Sequence, residues 1–301
     1  MRSKKWGPLG VALWCSAWAC GEEVTEPPPD PACTEIGLPA EISVPTDQEA
    51  PLQGSITISD RRDRSLDDQG VPRTINRGLI QAAFADVSTT TDAPDRLMAI
   101  GINCIGRLSR SSVDAPAFLE MDGVTVRNTA RGDVVANKIG TGRYTQAGDL
   151  ILQGANGVRV VGTAAAGAPF TSFDEAVEPI ESLEVSSPPS DGQQLLKVDD
   201  LPIRWSGTGG QGVLITVIPN YTGNTQSGGQ VLCQVIDDGC FNLPSAATNF
   251  LLANREDGMG IPSYTLVVER YKIRVVEPAA RTLLTIESSS EYRLTLKNGV
   301  E

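Results

Sequence analysis

The chain reads as all-β, built as two antiparallel β-sandwich domains behind a signal peptide and a disordered linker. Three observations lead there. Glycine (30) and proline (20) punctuate the 301 residues and aromatics make up only 5%, a composition of short strands and turns rather than long helices. Apolar and polar residues alternate with period two in run after run, bounded by Gly, Pro and Asp clusters, which is the pattern of half-buried strands. With 40% hydrophobic residues, the length suits about two domains of ordinary size better than one large core.

At the N-terminus, residues 1–19 have the form of a signal peptide. Arg2, Lys4 and Lys5 make a basic start, and Trp6 to Ala19 an apolar stretch too short for a bilayer, which needs about 20 apolar residues. Ser16-Ala17-Trp18-Ala19-Cys20 resembles a bacterial lipobox, in which small residues precede the cysteine that takes the lipid. Ala19 fits that pattern, while Ala17 and Trp18 stand where Leu and a smaller residue are usual. The resemblance implies lipidation of Cys20. Gly21, where the inner-membrane retention signal would put Asp, implies the outer membrane as the address. Residues 20–32 continue as an acidic, proline-rich tether, extended at roughly 3 Å per residue where proline dominates.

Cys15 leaves with the signal. Cys33, Cys104, Cys233 and Cys240 then form an even set in an oxidising compartment, and two disulfides are expected in one of three connectivities. The favoured pairing is Cys33 with Cys104 and Cys233 with Cys240, which keeps each bridge inside one domain. A four-residue loop over 235–238 would set Cys233 directly opposite Cys240.

The first domain is expected over 33–182. Strands are read at 55–59, 79–85 and 97–103. Asp122-Gly123, between two alternating runs in 117–127, is a strong hairpin signal. A second turn is read at Gly154-Ala155-Asn156-Gly157, between strands at 150–153 and 158–162.

The second domain is expected over 183–301, its edge marked by Ser-Ser-Pro-Pro-Ser-Asp-Gly-Gln at 186–193. Alternating runs at 201–207, 212–220, 230–236, 263–276, 282–288 and 292–298 suggest a sandwich of the immunoglobulin-like type, with one short helix at 244–253. Ile203 and Trp205 share a strand face, and Trp205 is expected as a plug between the sheets. The order Trp205-Ser206-Gly207, then Cys233 on a strand, then Asp238-Gly239 with Phe241 and Pro244, then a terminal Tyr-Arg-Leu-Thr-Leu-Lys-Asn at 292–298, resembles a C-terminal β-sandwich module of uncharacterised Gram-negative lipoproteins. Cys240 departs from that pattern, which more often has a small hydroxyl residue there. The resemblance implies a fold and an address and supplies no catalytic residues.

Charge and composition then exclude whole classes of function. The net charge of −12 opposes nucleic-acid binding, which needs a concentrated basic face. With no histidine in the chain, Ser/His/Asp and Cys/His nucleophile systems and His-ligated metals are ruled out. Asp60, Asp63, Asp67 and Asp68 are the candidates for oxygen ligands to calcium, set against Arg61, Arg62 and Arg64, which would pair with them. Arg131-Gly132-Asp133 has the form of an adhesion tripeptide and of a turn. Asn220-Tyr221-Thr222 has the N-glycosylation form, which carries little in a bacterial chain. No motif selects a carboxylate pair for glycoside hydrolysis. The expectation is an outer-membrane lipoprotein, periplasmic or surface-facing, without cofactor, acting as a non-catalytic structural or binding module toward an envelope protein or polysaccharide. The alternatives are a carboxylate-dependent polysaccharide hydrolase and a calcium-dependent adhesin.

Overall fold

Two long strands explain most of the architecture. In the computed structural model the described residues are 33, 38–39, 49–66, 69, 71–88, 96–100, 102–108, 116–154, 156–188, 195–196, 200–220, 229–254 and 263–298. In chain order the elements are β1 (Leu52–Leu66), β2 (Pro72–Asp86), β3 (Arg96–Ala99), β4 (Cys104–Leu108), β5 (Ala117–Phe118), β6 (Met121–Arg127), β7 (Val134–Gly140), β8 (Arg143–Gly148), β9 (Arg159–Ala164) and β10 (Phe173–Ala176). They continue as β11 (Val185–Ser187), β12 (Leu195–Leu196), β13 (Leu201–Trp205), β14 (Gly212–Asn220), β15 (Gly229–Val235), β16 (Cys240–Leu243), α1 (Ser245–Ala253), β17 (Ser263–Ala279) and β18 (Thr282–Asn298). The fold is all-β, as the alternation predicts. These elements belong to one compact unit, Cys33–Glu301.

Strands β17 and β18 form an antiparallel ribbon at the middle of one large sheet, ordered β10-β9-β6-β7-β8-β2-β1-β18-β17-β14-β15-β4-β3. β1 runs parallel to β18, so the sheet is mixed rather than purely antiparallel. A smaller sheet, β11-β13-β16, stands apart from it.

Two cores result, and the ribbon enters both. Ile56, Ile58, Ile80, Phe84, Val124, Val126, Tyr144, Val160 and Phe173 gather with Leu284 and Ile286 of β18 in the first. The Phe84 and Phe173 rings stand 6.0 Å apart although β2 and β10 are widely separated in the sheet order, so the sheet folds over on its own core. In the second core, Ile203, Trp205 and Leu243 of the small sheet meet Val213, Ile215, Val231, Leu266, Val268, Tyr292 and Leu294 of the large one, a two-sheet sandwich. Cys104 of β4 also sits in this second core, because β4 pairs with β15. Helix α1 closes one side through Ala247, Thr248, Phe250 and Leu251. Gly106 makes room for it, since a Cβ there would meet the Phe250 ring.

Several elements differ from the sequence reading. Asp122-Gly123 is no hairpin turn: β6 runs straight through it, and the register against β9 shifts there, so the pair marks a bulge. Residues 150–153 form a loop instead of a strand. The runs at 282–288 and 292–298 merge into the single strand β18, its polar centre paired with β1 on one side and β17 on the other. The Cys233–Cys240 pairing is also corrected: Cys104 bonds Cys233 and Cys33 bonds Cys240, with Cα separations of 4.0 and 5.6 Å. Residues 236–239 carry the chain from the large sheet to the small one, which puts Cys233 and Cys240 in different sheets.

Candidate functional site: the waist of the ribbon

Along the inner face of the ribbon, apolar residues give way to polar ones and then return. On β18, Ile286 is followed by Ser288 and Ser290 and then by Tyr292; on β17, Val268 is followed by Arg270, Lys272 and Arg274 and then by Val276. Strand alternation aims these side chains at one face, and they make a polar belt where the two cores meet.

Residues 175–184 lie across this belt and are strapped to it rung by rung. Arg274 donates to the Ala176 carbonyl at 3.1 Å and pairs with Glu175 at 3.2 Å. The Lys272 ammonium donates to the Pro179 carbonyl at 2.9 Å, and Arg270 Nη1 to the Glu181 and Ser182 carbonyls at 3.3 Å each. The Leu183 amide donates to Ser290 Oγ at 2.9 Å, and Arg62 of β1 pairs with Glu184 at 2.5 Å. Position 182, where the sequence suggests one domain ends, therefore lies in a bonded strap.

Arg270 is the largest fully buried side chain among the described residues. Its Nε donates to Asp237 Oδ2 at 2.7 Å, and Nη2 donates to Asp237 Oδ1 at 3.1 Å and to the Ser206 carbonyl at 2.8 Å. With the two strap carbonyls, all five guanidinium N–H groups have acceptors. Asp237 also accepts from Trp205 Nε1 at 2.9 Å and from the Gly210 amide at 2.7 Å. Trp205 is thus the expected core plug, and its indole N–H is tied into a buried ion pair.

On the outer face of the same rungs the chemistry is acidic. Glu269 of β17 stands directly opposite Glu291 of β18, and Glu287 follows on the same face. Burial, with Glu291 and Glu287 adding repulsion, pushes the Glu269 carboxyl up to about 7; the Ser289 hydroxyl and Arg293 act in the other direction. Burial and Glu291 raise Glu287 as well, against a hydrogen bond with Thr57. Glu291 is held by Arg293 at 2.7 Å. The Tyr271 hydroxyl accepts from Gln234 Nε2 at 2.6 Å, and burial raises its pKa.

The residues singled out in the sequence are placed otherwise. Asp60 points inward and accepts from the Ile151, Leu152 and Gln153 amides at 2.6, 3.0 and 2.6 Å, so its oxygens hold a loop. Asp63, an odd number of residues along β1, lies on the opposite face and pairs with Arg61 at 2.6 Å. The strand therefore separates two of the four calcium candidates; Asp67 and Asp68 lie outside the described residues, as does Cys20. No group of three or more His, Cys, Asp or Glu able to hold a metal occurs among the described residues. Arg131 of the Arg-Gly-Asp triplet donates to the Leu150 and Gln153 carbonyls, which makes it part of the same loop's support. Asn220 donates to Ser263 Oγ and accepts from Thr265.

A groove of about 420 Å³ borders this loop, lined by Asn128, Arg131, Val134, Gln146, Gly148, Asp149, Leu150 and Ile151. Glu269, Glu287 and Glu291 do not line it. Sequence reasoning missed the waist, although charges inside the run Val267-Val268-Glu269-Arg270-Tyr271-Lys272-Ile273-Arg274 are the signal that marks it. No family model matches this chain, and no curated protein matches it.

Proposed function

We propose that the protein is an outer-membrane lipoprotein whose folded part is a rigid, non-catalytic structural or binding module of the cell envelope, as the resemblance of its C-terminal half to such lipoproteins implies. The observation that supports the reading best is the strapped waist. The segment linking the two cores is bonded at 176, 179, 181, 182, 183 and 184, which suits a spacer and opposes hinged closure around a substrate. Two bridges with sequence separations of 207 and 129 fit an oxidising compartment. Cys33, which closes one of them, lies at the end of the stretch read as a tether.

The address is tested by feeding cells a fatty-acid analogue and comparing wild type with Cys20→Ala. Label on wild type alone supports it, and equal label on both removes it. Pull-down of envelope fractions on the full chain then seeks the partner.

A carboxylate-dependent hydrolase is the second reading, favoured by the facing Glu269 and Glu291, one of which is raised toward neutrality. Against it, Glu291 is only 7% exposed and locked to Arg293. Release of reducing ends from envelope polysaccharide by wild type, abolished in Glu269→Gln, would establish the enzyme and displace the module.

A further inference from the structure

Among the described residues, the outer face of the waist gathers more negative charge than its neighbours neutralise. Glu269 and Glu291 are directly opposed across β17 and β18, an arrangement in which like charges destabilise a strand pair. Of the cations on this face, Arg293 is taken by Glu291 at 2.7 Å and Arg61 by Asp63 at 2.6 Å. Arg77 of β2, in register with Arg61, is exposed. From β14 the residue opposite Glu269 is the uncharged Leu214, and Tyr271 adds a neutral phenol.

A second observation lies within the same cluster. Ser59 of β1, 1% exposed, is in register with Ser289 between Glu287 and Glu291, and its hydroxyl has no hydrogen-bond partner. A buried donor without a partner is costly, and this one lies one strand from Glu287 and Glu291, next to their in-register partners Thr57 and Arg61.

We propose that this face is a proton-operated seam: Glu269, opposite Glu291 and on the same face as Glu287, holds a proton, and its release loosens the ribbon where the two cores meet. Nothing in this depends on the membrane address. Burial pushes Glu269 from the ordinary 4.5 of a solvated glutamate to about 7 in the fold, so the folded state binds the proton more tightly than the unfolded chain. The stabilisation is complete below about 4.5 and is lost as pH rises to about 7.

The test is thermal unfolding of the full chain between pH 5 and pH 8. Wild type is expected to lose on the order of 5 °C in Tm as pH rises. Glu269→Gln should flatten that slope and melt above wild type at pH 8, while Glu277→Gln, at an exposed position, keeps the wild-type slope. A wild-type Tm that is level or rises, or a Glu269→Gln variant that keeps the slope, overturns the proposal. Should Glu269→Gln fail to fold, carbon-13 NMR of glutamate carboxyls in the wild type decides instead. One carboxyl titrating between about pH 6 and 8 supports the seam, and all of them titrating below about pH 5.5 refutes it.

Discussion

Inside and outside the ribbon, the same few residues of β17 and β18 solve opposite problems. On the inner face a fully buried Arg270 has one carboxylate and three carbonyls arranged around it, and every donor is used. On the outer face three carboxylates act on one another, with Arg293 paired to Glu291. A buried charge is tolerated when its surroundings are complete, and it shifts its proton when they are not. The difference teaches that burial alone does not say whether a charged residue stabilises the fold; the partner count on its face does.

The comparison breaks most visibly at Arg270. Arg270→Met should cost about 3–5 kcal/mol in urea unfolding, because Asp237 is left buried without its counter-charge. Glu269→Gln at pH 8 should raise stability, as its higher melting point there requires. If the two variants lose equal stability, the contrast between the faces fails.

Removing the buried bridge in Cys104→Ala/Cys233→Ala should cost about 2–5 kcal/mol by the same assay, since it opens a link across 129 residues. Asp60 sharpens the inner side further, as a carboxylate neutralised by backbone dipoles instead of by a cation. Asp60→Ala is expected to lose about 2–4 kcal/mol, with faster hydrogen exchange at the Ile151, Leu152 and Gln153 amides. Protection unchanged at those amides would show that the loop does not rely on it. The smallest effect belongs to Lys272→Met, about 0.5–1 kcal/mol, with exchange rising around 179–183 while the cores stay protected. A larger loss there would mean that the strap, and not the cores, limits stability.

How much of this is legible in the sequence divides along physical lines. Strands whose alternation is apolar against polar are readable: β14 spans the expected 212–220, and α1 starts one residue after the expected position. Local signals mislead where tertiary pairing decides. Asp122-Gly123 has the chemistry of a turn, yet pairing with β9 on either side of Asp122 carries the strand through it. Glu287 to Glu291 reads as an interruption because a strand interior is expected to be apolar on one side, and here the inner side crosses a belt between two cores. Disulfide partners depend on which strands become neighbours; β4 joining β15 has no trace in the spacing of Cys104 and Cys233. Asp60 stands out in the sequence for its charge, and its role emerges only once the loop at 150–153 is placed against it, with Gly78 on β2 allowing the approach of the Asp149 carbonyl.

The bridge between Cys33 and Cys240 also decides how a pull would travel. Tension applied at residue 33 passes through sulfur into β16 of the small sheet and does not have to reach the fold by way of β1. Strand β1, paired with β2 over its whole length and with β18 from Leu52 to Asp63, is thereby spared from being peeled out of the central sheet, and the second sandwich takes the load first.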